Sequence, residues 1–196
     1  MRISLTLLFC AAAVSTRAPA AEAPPSDDTL LSFAKQRSQA VRITEAPEQI
    51  SAIVSMRCAP PRGPSREEIR IAKKQKDGRL GADPHATNFV HVYVSPDGAS
   101  AMRTNSAVFP RGAIVLKEKF ADATGKHTLL FTGMIKREPG YNPDCGDWEF
   151  FTLSPDAANV TARGRLHSCM DCHEEYQSRD FVTKNYVTGS SLGAGN

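Results

Sequence analysis

Cys169-Met170-Asp171-Cys172-His173 sets two thiols and an imidazole in the order C-x-x-C-H. At that spacing the thiols can add to the two vinyl groups of one porphyrin, and the adjoining imidazole is held beneath the iron as its proximal ligand. The pattern therefore reads as the attachment site of a single, covalently bound haem c. A C-x-x-C pair also serves as a redox dithiol or as half of a zinc site. Zinc needs two further ligands, and the chain has no second pair at ligand spacing. A redox dithiol is expected just after a strand early in a βαβ unit, whereas this pair lies close to the C-terminal end.

A second protein ligand would close the iron and make an electron carrier, and Met102 and Met134 are the candidates for it. Met170 lies between the two cysteines and is badly placed to reach the opposite side of a porphyrin. Methionines in apolar strands are mostly core filling, so an open iron is the alternative that stands beside closure. His91 belongs to an alternating strand and is expected to be hydrogen-bonded or at an interface. His85 and His127 fall in or beside turns, and His167 precedes Cys169 at a position suited to solvent or to a propionate. Phe89, Phe131 and Phe150 are candidates to line a haem pocket, although aromatic strand residues fill cores first.

The start of the chain carries Met1-Arg2, an apolar run over residues 3–14 and Ala18-Pro19-Ala20, the form of a cleaved secretory signal over residues 1–20. The run is too short to span a bilayer, no other segment could do so, and the expected location is the periplasm. Cys10 would leave with the signal, since Phe9 occupies the place where a lipobox needs a small residue. Removing Arg2 and Arg17 from the 24 Lys and Arg leaves 22 against 21 Asp and Glu, too even a balance for a nucleic-acid partner. In an oxidising compartment Cys58 and Cys145 are expected to pair as a disulfide, which would stabilise by about 4 to 5 kcal/mol in the chain-entropy model. Two buried thiols are the alternative.

These residues need a frame. Residues 21–28 form a Pro- and Ala-rich leader, residues 29–187 one domain, and the Gly/Ser-rich residues 188–196 a disordered tail. Over residues 29–57 apolar residues recur at partly helical intervals broken at Pro47, which predicts two helices. Ser65-Arg66-Glu67-Glu68 has the form of a capping box. The cationic run Arg70, Lys73, Lys74, Lys76 reads as a solvated face able to dock an acidic redox partner. Residues 89–94, 113–117, 129–135 and 148–153 are rich in β-branched and aromatic types and are separated by Pro/Gly turns, so they read as antiparallel strands. Residues 156–165 read as a loop, the haem motif as a short helix from Leu166 or His167, and residues 181–187 as extended. The fold class is α+β, a mainly antiparallel β-sheet with flanking helices. On a strand, Ala113, Val115 and Lys117 share one face and Ile114 and Leu116 the other.

The chain resembles the cytochrome P-460 family, which includes the cytochromes c′-beta. Five segments carry the likeness: Val90-His91-Val92-Tyr93-Val94, Phe109-Pro110-Arg111-Gly112-Ala113-Ile114-Val115-Leu116-Lys117-Glu118-Lys119, Met134-Ile135-Lys136-Arg137-Glu138-Pro139-Gly140-Tyr141-Asn142-Pro143, Gly146-Asp147-Trp148-Glu149-Phe150, and C-x-x-C-H followed by Asp180-Phe181-Val182. The resemblance implies a homodimer of antiparallel β fold with one haem c, a five-coordinate iron and an open distal side. Similar proteins oxidise hydroxylamine, some with a lysine joined to the porphyrin, or bind nitric oxide in an apolar pocket, and electrons leave through a soluble redox partner. Lys117 falls where that cross-linking lysine falls. Thr132 falls where hydroxylamine-oxidising relatives place a distal carboxylate, and a hydroxyl cannot act as the general base unless Glu118, Glu138 or another carboxylate reaches that side. A six-coordinate electron-transfer cytochrome and a haem-based ligand-sensing module are the other readings.

Overall fold

The computed structural model describes residues 24–50, 88–105 and 107–184. The signal-like segment, Cys58, the capping box at Ser65 and the 188–196 tail lie outside the described residues. The first helix, α1 (Asp27–Lys35), begins where Ser26 accepts the Thr29 amide, with Asp27 and Asp28 in the first turn and Lys35 in the last, the polarity that a helix dipole favours. It starts inside the segment expected to be leader. A 3₁₀ turn, Arg37–Gln39, leads to strands β1 (Val41–Arg42) and β2 (Glu48–Ile50). Here the sequence reading is corrected: in place of a second helix up to Ile50, two short strands lie on the edge of a longer one. Only that pairing makes them strands, because neither is long enough to show a period.

The long strands are β3 (Asn88–Val94), β4 (Ile114–Phe120), β5 (Thr128–Lys136) and β6 (Trp148–Leu153), which correspond to the four β-rich runs of the sequence. A further strand, β7 (Val160–Gly164), replaces part of the loop expected at residues 156–165. Its Arg163 and Gly164 gave no β signal, but pairing with Phe150 to Leu153 of β6 holds it in the sheet. Among the described residues the seven strands form one antiparallel sheet in the order β1-β3-β4-β5-β6-β7, with β2 also on the outer edge of β3. A short helix α2 (Ala99–Arg103) crosses between β3 and β4, and α3 (His167–His173) follows β7.

Both faces of this sheet are covered. On one, Tyr93, Ile114, Leu116, Phe131, Ile135, Phe151 and Leu153 pack with Leu30 and Ala34 of α1, four residues apart on one helical stripe. On the other, Val90, Val92, Val94, Val115, Met134, Trp148 and Phe150 pack with Met102 of α2, Phe181 and Val182, and Cys169 and Met170 of α3 border them. The alternation read at β4 holds: Ala113 and Val115 belong to the second core, and Ile114 and Leu116 to the first. Gly133 on β5 permits one close contact. A Cβ there would stand 2.3 Å from the Phe151 ring of the neighbouring strand, so only glycine lets that ring lie flat on the sheet.

Candidate functional site

α3 carries the C-x-x-C-H residues and opens at Leu166, whose carbonyl accepts from the amides of Cys169 and Met170 at 2.9 and 3.0 Å. Cys169 and Cys172 lie three residues apart, on neighbouring positions of one helical face, and both are half-buried. None of Cys145, Cys169 and Cys172 forms a disulfide among the described residues. Cys145 is fully buried, and burial pushes its thiol up to about 12. His167 is exposed at the helix start, as expected of a solvent position.

His173 ends the helix beneath the sheet. Its Nδ1 donates to the Phe181 carbonyl at 2.6 Å, which fixes the tautomer and leaves Nε2 with an open lone pair. The Phe150 ring is tilted against it at 5.1 Å and Tyr176 stands at 6.5 Å. Burial first, and the Lys117 ammonium second, push this imidazole down to about 4, with the bond to Phe181 acting the other way. A neutral imidazole, oriented by a carbonyl on one nitrogen and open at the other, is the form that ligates iron.

The residues around it fall into rows across the sheet. Met134 of β5 opposes Phe150 of β6 and Val115 of β4, so this row lies against the histidine. Two residues along each strand, about 7 Å on, the next row runs Val92, Lys117, Thr132 and Thr152. Lys117 is half-buried there. Thr132 stands directly across from Lys117 on one side and Thr152 on the other, and Thr152 hydrogen-bonds Thr161 at 2.6 Å. The structure thus brings Cys169, Cys172, His173, Lys117 and Thr132 to one side of the sheet.

Other sequence candidates point elsewhere. Glu118 belongs to the opposite face, where it accepts from Arg37 at 2.6 and 2.7 Å, from Tyr93 at 3.2 Å and from Thr128 at 2.7 Å. Glu138 is held by the Arg137 guanidinium at the surface. Neither carboxylate serves the Thr132 row. Phe131 packs with α1, and Phe89, two residues before His91, alternates to that same face, so of the three phenylalanines only Phe150 touches the histidine. His91 Nδ1 hydrogen-bonds the Thr44 hydroxyl at 2.9 Å, on the face away from α3. Met102 of α2 is wholly buried in the core, and Met134 lies in the histidine's own row.

Residues to which the sequence assigned no role hold the histidine's partner. The chain leaves the 3₁₀ turn Glu174–Arg179 through Asp180 and Phe181, both left-handed at φ 56° and 60°. Asp accepts that conformation, whereas a bulky Phe is strained there by about 1 to 3 kcal/mol. Asp180 receives Lys136 Nζ at 2.6 and 2.8 Å and the Phe109 amide at 2.8 Å, while its own carbonyl takes Trp148 Nε1 at 2.8 Å. The Asp180-Phe181-Val182 run was the available signal, but an apolar tail eight residues past a histidine reads as extended chain.

The sequence model of the cytochrome P460 family matches residues 67–184, from before β3 to Lys184 and across the whole of this site. No curated protein matches the chain.

Proposed function

The chain belongs to the cytochrome P460 family, and from that premise we propose that it is an exported cytochrome carrying one haem c whose open iron binds small nitrogen oxides, nitric oxide foremost. Cys169 and Cys172 would carry the thioethers and His173 Nε2 the iron. The donor set fits such a group: two half-buried sulfurs on one helical face, followed by an imidazole whose other nitrogen already has its partner. Bound haem supplies an iron that takes a small ligand and exchanges single electrons.

The observation that carries the open-iron reading is the row beyond the histidine. Of Val92, Lys117, Thr132 and Thr152, the first and last are buried, Lys117 and Thr132 are half-buried, and the row holds no thioether or imidazole. Thr132 and Lys117, both half-buried, can donate hydrogen bonds to a bound oxide. With Glu118 and Glu138 turned away, neither of these carboxylates is placed to take protons from hydroxylamine, so ligand binding ranks above its oxidation. Hydroxylamine oxidation is the second reading, favoured by the closeness of Lys117 to His173. Periplasmic location, a homodimer and a soluble electron partner complete the proposal.

The test is expression with the native N-terminal segment in a host that matures haem c, followed by intact mass and the ferrous spectrum. The expected result is one added haem and a high-spin spectrum that shifts on adding nitric oxide, with little turnover of hydroxylamine. A low-spin spectrum indifferent to nitric oxide would make the protein an electron carrier. A ligand-dependent change in sedimentation would make it a sensing module.

A further inference from the structure

We propose that Asp180 is a positioning residue of the proximal side: by locking a two-residue left-handed turn it aims the Phe181 carbonyl at His173 Nδ1 and so sets how strongly the imidazole donates to iron. This inference rests on the haem reading above. Its argument begins with the backbone. Phe181 does not enter the left-handed region unaided, and its carbonyl meets Nδ1 at 2.6 Å only while it stays there. Something must hold the turn.

Asp180 holds it from three directions. Lys136 from β5 binds both carboxylate oxygens, the Phe109 amide binds one of them, and Trp148 from β6 binds the main-chain oxygen. The Lys136 and Asp180 side chains are 10% and 7% exposed, so the pair is shielded and its bonds are charge-assisted. Lys136 also lies 5.0 Å from the Trp148 ring centroid. The Phe181 ring is pinned in turn by Gly146, where a Cβ would stand 2.6 Å from it. Downstream, the buried Lys184 ammonium donates to the carbonyls of Thr104, Asn105 and Ala107 at 2.7 to 3.2 Å. The Phe181 carbonyl is therefore suspended between two anchors four residues apart, both tied to elements outside α3.

A carbonyl that draws on Nδ1–H raises the basicity of Nε2 and favours the higher oxidation state of a metal bound there. Asp180→Asn tests the role, because Asn keeps the left-handed preference and an acceptor for Phe109 while losing the charge that holds Lys136. The expected result, with haem content unchanged by mass, is a reduction potential displaced upward and an iron–histidine stretching band displaced to lower frequency. Trp148→Phe, which deletes the donor to the Asp180 carbonyl, should move both readouts the same way and serves if D180N fails to accumulate. Gly133→Ala, on the opposite face, should destabilise without moving either. Haem-loaded D180N or W148F with unchanged potential and band would overturn the inference and leave the haem reading standing. A wild-type protein matured without haem would overturn both.

Discussion

Lys117 and Thr132 are directly opposed residues of the β4–β5 ladder, on the face of the sheet that receives His173. Side chains so placed stand within about 5.5 Å at Cβ, close enough for whatever occupies one position to alter the other. The pair combines a cation with a hydroxyl and holds no base to take up a proton.

Thr132→Glu supplies that base. It should raise hydroxylamine-dependent reduction of an electron acceptor at least about 100-fold, the lower bound for a positioned general base. Stopped-flow spectroscopy checks it, and an unchanged rate with the haem intact would show that the Thr132 row does not face the substrate. Thr132→Val should instead keep nitric oxide binding.

His91 makes stability depend on pH. His91 Nδ1 shares a 2.9 Å hydrogen bond with the Thr44 hydroxyl, which also accepts from the Val92 amide at 3.2 Å. Burial, then Arg42, holds this imidazole below its ordinary value. The unfolded chain therefore takes up the proton first. Stability contributed by neutral His91 is present above about pH 6.5 and is lost as pH falls below it. Urea midpoints between pH 8 and 5 should decline, and His91→Gln should flatten the lower part of the curve.

Gly133→Ala should cost about 1 to 3 kcal/mol, because the added methyl must displace the Phe151 ring from a packed face. Chemical unfolding measures it. An effect below half a kcal/mol would mean that the ring moves aside freely.

Cys145 should resist alkylation in the native protein at pH 8, since burial keeps its thiol protonated up to about 12. After unfolding with reductant it should label fully, as peptide mass analysis would record. Labelling that requires the reductant would establish the bridge to Cys58, and rapid native labelling would contradict the buried site.

The four central strands were legible because alternation and turn residues survive without neighbours, as does the face shared by Val115 and Lys117. Strands β1 and β2 were not, since two or three residues carry no period and take their conformation from the edge of β3. The same holds for β7, whose Arg163 is half-buried against Glu149 at 2.8 Å rather than exposed as its type suggests. At the site, C-x-x-C-H was legible as a motif, and the structure adds the short helix that carries it. That Phe150 would touch the histidine while Phe131 would not is a matter of strand parity over a hairpin, readable only once the β5–β6 register is known. The carbonyl of Phe181 is main chain, and no side-chain motif announces it.

From β3 to β7 each strand pairs with its neighbour in sequence. The hairpins from β4 to β7 close over 22 residues or fewer, whereas Asp180 must find Lys136 and Phe109 across 44 and 71 residues. This predicts that the sheet forms first in refolding and that the C-terminal turn is fastened last. Amides of β4 and β5 should gain protection from exchange before those of residues 180–182. Until that turn closes, α3 is tethered but unlatched, and Cys169 and Cys172 should react with a thiol reagent faster than they do in the folded chain.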